Sequence, residues 1–215
     1  MNCEQSLQET GIAEKSIQPF REILSRQGLR LERAETTTLQ VNVGLVCNQQ
    51  CRHCHFAAGP DRNEAMDART AREVIAYAER GRFEIIDITG GAPELNPNTA
   101  MLIDRLSFLA SKLMFRSNLT ALNDEKGGDL MHLLKERKVN IVGSFPSLNE
   151  AQSDSQRGDG VFQRSINALR KLNALGYGIE GTKLELDLVS NPTGAFLPTP
   201  QSQQEKRFRE VLRKK

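Results

Sequence analysis

The stretch Leu39-Gln-Val-Asn-Val-Gly-Leu-Val-Cys47-Asn-Gln-Gln-Cys51-Arg-His-Cys54 decides how this chain is read. Its first half alternates: Leu39, Val41, Val43 and Leu45 share one face, Gln40 and Asn42 the other. That is the signature of a strand, whose successive side chains point to opposite sides. Its second half holds three cysteines at offsets of four and three residues, and the remaining cysteine of the chain is Cys3. Three thiolates can hold three irons of a cubane 4Fe–4S cluster; four thiolates normally do so, and a set of three leaves one iron open. Zinc is the competing reading, with His53 or His55 as the fourth ligand, although both flank Cys54 directly and would need an awkward bite. No second cysteine pair completes a zinc ribbon, and a disulfide framework does not suit a chain of this size.

A chain of 215 residues can bury a core, and one domain is the default. Its 29 basic and 27 acidic residues leave a net charge of +2, which gives no case for a nucleic-acid partner. No apolar run approaches membrane-spanning length, and Met1-Asn-Cys-Glu-Gln lacks the basic and apolar regions of a signal peptide. The expectation is a cytoplasmic protein with reduced thiols. The basic terminus Glu205-Lys-Arg-Phe-Arg-Glu-Val-Leu-Arg-Lys-Lys reads as a solvated helix face.

Short apolar strands alternate with helical patterns, which predicts βα units and a parallel sheet. Strands are expected over 39–46, 83–89, 114–119, 139–145 and 183–189, and helices over 70–80, 97–113, 128–137 and 161–175. Thr70-Ala-Arg-Glu73 reads as a capping box and Gly81 as a stop. Asn96-Pro97 reads as a cap before a first-turn proline. Leu102, Leu106, Leu109 and Leu113 would form one apolar stripe, and Phe162, Ile166, Leu169 and Leu172 another.

The later strands alternate like the first. Leu184, Leu186 and Leu188 oppose Lys183, Glu185 and Asp187; Phe115 opposes Arg116 and Asn118; Ile141 opposes Asn140 and Ser144. If crossover helices cover the apolar face, the polar face lines an interior, as in a partial (β/α) barrel around a polar ligand. An antiparallel sheet with one solvated face would alternate in the same way. Strand two runs into Gly90-Gly-Ala-Pro-Glu94. Bare backbone at Gly90 and Gly91 can approach a ligand closely, with carbonyls free to accept from an ammonium group. Ligands of α/β folds sit beyond the carboxyl ends of strands, where both the cysteines and this turn fall.

The C-x3-C-x2-C spacing and the Gly90–Glu94 turn resemble radical SAM enzymes, whose GGEP motif contacts the amino group of S-adenosylmethionine (SAM). His53 stands where that superfamily usually has an aromatic residue near the adenine. A longer set of words looks like the arsenosugar biosynthesis radical SAM proteins. They are Leu39–Cys47, His53-Cys-His55 with Ala58-Gly-Pro60, Asp87–Pro97, Arg116-Ser-Asn-Leu-Thr120, Gln156-Arg-Gly-Asp-Gly-Val-Phe162, Leu172–Gly178 and Asn191-Pro-Thr-Gly-Ala-Phe-Leu-Pro198. They run collinearly from about residue 20 onward.

The resemblance implies an α/β fold of partial-barrel type with about five βα units visible and the barrel incomplete. It implies a 4Fe–4S cluster ligated by Cys47, Cys51 and Cys54, with SAM on the open iron. Electron transfer from the reduced cluster would cleave SAM to methionine and a 5′-deoxyadenosyl radical. In the family that adenosyl group is joined to trivalent dimethylated arsenic. The turn Gly90, Gly91, Ala92, Pro93, Glu94 would hold the methionine end. Asn118, Ser144 and Asn191, near the ends of strands three, four and five, are candidates for ribose or carboxylate contacts. The implied partners are a methylated arsenic substrate and an electron donor such as flavodoxin or ferredoxin, with no nucleic acid and no membrane.

The expected organisation is a helical lead-in over 1–35, a radical SAM core over 36–198 and the start of a C-terminal helix over 199–215, with the family's C-terminal domain absent. Departures from the family pattern include Ser147 where relatives tend to have cysteine, Ser190 where they read tyrosine, and five strands for six. Two other readings stay open: a radical SAM reaction on another small molecule or a peptide, and an inactive metal- or cluster-binding fragment.

Overall fold

A computed structural model of the chain describes residues 18–124, 127–190 and 199–215. The chain divides into two compact units, Met1–Glu35 and Thr36–Lys215. In the first, helix α1 (Phe20–Arg26) follows Pro19 and buries none of its residues.

The second unit is built on five strands: β1 (Thr38–Asn42), β2 (Ile85–Thr89), β3 (Lys112–Ser117), β4 (Asn140–Ser144) and β5 (Leu186–Val189). They form one sheet in sequence order, and every neighbouring pair is parallel. Parallel neighbours need a crossover between them. Helices α2 (Ala68–Arg80), α3 (Thr99–Leu106), α4 (Gly127–Glu136) and α6 (Val161–Ala174) supply it. The antiparallel alternative is thereby removed, and the sheet is open because β1 and β5 are not paired with each other.

Register explains the alternation. Val41, Ile88, Phe115, Ile141 and Leu186 are aligned partners across all five strands. This row faces the helices, where Ile75, Leu102, Ile103, Leu106, Leu134 and Leu172 are buried against it. The opposite face is polar and bonded to itself. Asp87 accepts from Gln40 Nε2 at 3.0 Å and from Arg116 Nε at 2.9 Å. Glu185 accepts from Lys112 Nζ at 2.9 Å and from Asn140 Nδ2. A buried carboxylate such as Asp87 is tolerated only with partners of this kind.

Local chemistry differs from expectation in four places. Asp67, not Thr70, caps α2: its side chain accepts from the Thr70 amide at 2.7 Å, while Glu73 pairs with Arg69. The helix expected over 97–113 ends at Leu106, because Lys112 already pairs with Ile85 in the sheet; Leu113 therefore buries itself as a strand residue. Asn96 does not cap that helix. Its Nδ2 donates to the carbonyls of Val43 (2.8 Å) and Met66 (3.1 Å), and Asn98 occupies the cap position. A further helix, α5 (Glu150–Arg157), gave no periodic signal because its buried residues are Ser153, Gln156 and Arg157.

Helix α7 (Gln201–Leu212) packs Phe208 and Leu212 against the core and leaves its charged residues outside. Phe208 meets Phe145 edge-on at 6.2 Å. No helix among the described residues is long and apolar enough to cross a membrane.

Phe115 is fully buried at the centre of the aligned row. Phe115→Ala is expected to cost about 3–5 kcal/mol in urea unfolding, because deletion leaves a cavity as well as losing transfer free energy. Phe108→Ala, which removes an exposed ring beneath Arg137, is expected to cost at most about 1 kcal/mol.

Candidate functional site

The chain leaves β1 and closes a loop over residues 44–65. Its base is zipped by backbone bonds: Leu45 N–H to Glu64 O (2.8 Å), Gly59 N–H to Leu45 O (3.1 Å) and Cys47 N–H to Gly59 O (3.1 Å). The three cysteines project from this loop at the carboxyl end of β1. The turn after β2 docks on the same backbone. Gly91 N–H donates to Gly44 O at 2.9 Å, and Ala92 N–H to Val46 O at 2.8 Å. A Cβ on Gly91 would stand 2.5 Å from Val46 O and 2.9 Å from Leu45, so only glycine fits there. A Cβ on Gly90 would stand 2.9 Å from Gly44 O. The glycines are thus needed first to seat the turn against the cysteine loop.

Eight of the residues singled out above line one cavity of about 150 Å³: Cys47, Cys51, His53, Cys54, Gly90, Gly91, Asn118 and Ser144. Ala92, Pro93 and Glu94 do not line it. Ala92 and Pro93 are buried, Ala92 in a small cluster with Cys47, Ala58 and Ala121. Glu94 points inward, accepts from Ser117 Oγ through Oε1, and leaves Oε2 buried without a partner. Asn191 lies outside the described residues. A cleft of about 1310 Å³ between α6, β5 and α7 is much larger, but none of the described thiols lines it; chemistry, not size, locates the site.

Two cavity residues with polar side chains carried no sequence signal of a site role: Gln49 and Arg157. Gln49 accepts from Cys51 Sγ (3.4 Å) and from Arg157 Nε (3.0 Å), and donates to Thr120 Oγ1 (2.6 Å). Asn118 is already engaged: Nδ2 donates to Asn48 Oδ1 at 2.7 Å and reaches Cys47 Sγ at 3.5 Å, while Oδ1 accepts from the Ala121 amide. Leu119, the next residue, is held at φ 69° with its side chain buried. Such a conformation is costly for a branched side chain and marks a backbone bent to order at the strand end.

The donor set suits a cluster. Cysteine is a soft ligand favoured by iron–sulfur centres, and amide donors already aim at two of the sulfurs: Asn118 at Cys47, and the Ala58 N–H at Cys54 (3.3 Å). No three His, Cys, Asp or Glu side chains among the described residues converge on one point; the thiols ring the cavity instead. In a cubane each thiolate binds its own iron, so a ring is the arrangement required. Burial pushes the Cys47 thiol up and the His53 imidazole down. Burial also pushes the Glu94 carboxyl up, to about 7.

Two outcomes follow from this geometry. Gly91→Ala drives a methyl into Val46 O; it is expected to cost about 1–3 kcal/mol of stability and to lower the iron held per chain, read by urea unfolding and metal analysis. Glu94 keeps its proton in the folded chain up to about pH 7, while an unfolded glutamate releases it near 4.5. The folded state therefore binds more protons across that window, and this group's contribution to stability is present at low pH and lost as pH rises through it. Glu94→Gln is expected to flatten the dependence of Tm on pH between those values and to raise Tm on the alkaline side, measured on metal-free protein.

The match to known proteins agrees with the site. The profile of the radical SAM superfamily matches residues 41–191. Mycofactocin maturase MftC of Mycobacterium ulcerans (strain Agy99) is 26% identical over 131 residues, which is 61% of this chain and 35% of that protein. A probable GTP 3',8-cyclase of Pyrococcus abyssi (strain GE5 / Orsay) is 23% identical over 145 residues, 67% of this chain and 46% of that protein. The chain thus spans between a third and a half of the length of these curated relatives. Among solved structures, Streptococcus suis SuiB bound to its precursor peptide SuiA superposes with a TM-score of 0.61 at 17% identity, covering 98% of this chain and 42% of SuiB. The anSMEcpe structure with bound AdoMet superposes with a TM-score of 0.53 at 15% identity, covering 73% of this chain and 43% of that one. These likenesses establish the fold, a partial radical SAM barrel. With the profile covering most of the sequence, the chain belongs to the radical SAM superfamily, whose members are enzymes that use a 4Fe–4S cluster and S-adenosylmethionine.

Proposed function

We propose that Cys47, Cys51 and Cys54 ligate three irons of the cluster, and that SAM binds at the open iron with its methionine end against Gly90 and Gly91. The observation that carries this reading is the docking of the glycine turn on the cysteine loop, through Gly91 N–H to Gly44 O and Ala92 N–H to Val46 O. It brings the thiols and the glycine backbone to the wall of one cavity. When bound, this cofactor pair supplies one-electron reductive chemistry, delivered by a flavodoxin- or ferredoxin-class donor. The chain's own contribution is to orient and shield. The loop buries Cys47 and leaves Cys51 and Cys54 half-buried, while Asn118 and the Ala58 amide donate toward the Cys47 and Cys54 sulfurs.

The acceptor in this reading is dimethylated trivalent arsenic, which takes the 5′-deoxyadenosyl group. Its support is the collinear resemblance of the segments from Leu39 to Pro198. A peptide acceptor is the second reading, favoured by the likeness to SuiB bound to a precursor peptide.

Anaerobic reconstitution tests the first step. Wild type is expected to take up about four irons and as many sulfides per chain, with a SAM-dependent change in the EPR spectrum of the reduced cluster. Alanine at Cys47, Cys51 or Cys54 should abolish both. Stoichiometric zinc with no effect of SAM would overturn the reading. With dimethylarsenite added, an arsenic-containing nucleoside by mass spectrometry supports the arsenic acceptor. Free 5′-deoxyadenosine together with a modified peptide supports the second reading.

A further inference from the structure

Arg157 ends α5 with a side chain turned into the protein, and the residue is only 4% exposed. Each of its three nitrogens donates to a neutral oxygen, and the guanidinium also hydrogen-bonds the Cys51 sulfur. Nε donates to Gln49 Oε1 (3.0 Å), Nη1 to the Ser144 carbonyl (2.5 Å) and Nη2 to the Asn118 carbonyl (3.0 Å). Among the described residues no carboxylate forms an ion pair with it. The carboxyl of Glu94 influences it from a distance but is bonded to Ser117 instead. Arginine stays charged under all ordinary conditions, and a buried charge without a counter-ion is costly to a fold. Three carbonyl oxygens offset part of that cost. Burial pushes the Arg157 pKa down, and the Cys51 and Cys47 sulfurs, which share the cavity wall with Arg157, oppose that shift.

We propose that Arg157 is the built-in counter-charge of the iron–sulfur cluster, holding the cysteine loop through Gln49 and raising the cluster's reduction potential by its buried positive charge. The inference rests on the reading that Cys47, Cys51 and Cys54 ligate iron. A [4Fe–4S]2+ core with three thiolates carries one net negative charge, and one electron from a low-potential donor makes it two. No bond breaks and no proton moves in that step. A fixed cation in a water-poor setting stabilises the more negative state more strongly, so reduction becomes easier. Three of its five N–H groups are committed to Gln49, Ser144 and Asn118, which fixes Arg157 beside the Cys51 sulfur, where it acts by charge and position.

The test is an EPR-monitored redox titration of anaerobically reconstituted full chain, without SAM, on wild type, Arg157→Lys, Arg157→Gln and Gln49→Glu. Gln49→Glu places a carboxylate beside Nε and neutralises the cation while Arg157 stays in place. Arg157→Lys is expected to titrate near wild type. Arg157→Gln and Gln49→Glu are each expected to lose about tenfold or more in the reduction equilibrium, a fall of about 59 mV for one electron. Loading of Arg157→Lys but not Arg157→Gln also supports the charge role, and Gln49→Glu then supplies the potential. Wild-type potentials in loaded Arg157→Gln or Gln49→Glu would overturn the proposal. So would equal failure of Arg157→Lys and Arg157→Gln to hold iron, which would make the residue a structural clamp. If wild type itself takes up no iron and sulfide, the ligand assignment has failed, and that is seen before any variant is compared.

Discussion

Two backbone hydrogen bonds between the glycine turn and the cysteine loop hold the rest of the site in register. Gly91 gives its amide to Gly44 and Ala92 gives its amide to Val46, which ties the ends of β1 and β2 together above the sheet. The contact is possible because Gly91 lacks a Cβ, and any larger residue would enter the space of Val46 O. Buried amides need partners, so the two bonds also satisfy groups that the departing strands would otherwise leave open. Around this joint the thiols face inward, Ala92 packs beside Cys47, and Glu94 is carried down onto Ser117.

The sheet below supplies direction. An unbroken apolar row from Val41 to Leu186 faces the helices, and its consequence is a polar face on the other side. Asp87, the buried carboxylate of that face, has Arg116 within hydrogen-bond reach, and the exposed Glu185 pairs with Lys112. The strands deliver their carboxyl ends to one rim, where Ser144, Val189 and Asn118 meet the cysteine loop. The cavity opens at that rim, where parallel α/β architectures generally place their ligands.

Electrostatics at the rim are unbalanced in a purposeful direction. A carboxyl raised to about 7 and a guanidinium without an ion-pair partner both lie near the cysteines. Glu94 is driven toward its neutral form, so it adds little negative charge where an anionic centre would sit. Arg157 keeps its positive charge. The sum favours an anion in the cavity, in keeping with thiolates carrying iron.

The sequence by itself determined the class of the fold and singled out the cysteine loop. Alternation with period two and helical stripes between strands identify a βα sheet, and the spacing of Cys47, Cys51 and Cys54 marks a candidate ligand set open to a cluster or to zinc. It also located the Gly90–Gly91 turn, because glycine pairs after a strand are local signals. What only the tertiary structure decided depends on distant partners. Leu113 lies on a helical stripe in sequence, yet pairing with Ile86 makes it a strand residue. Helix α5 is polar along its length and is held by what it packs against, which no periodicity records. Arg157 and Gln49 lie 108 positions apart, and nothing local distinguishes that arginine from those on the surface. Burial is a property of the assembled chain, and it is burial that turns Arg157 from a solvated side chain into a fixed charge beside the thiols.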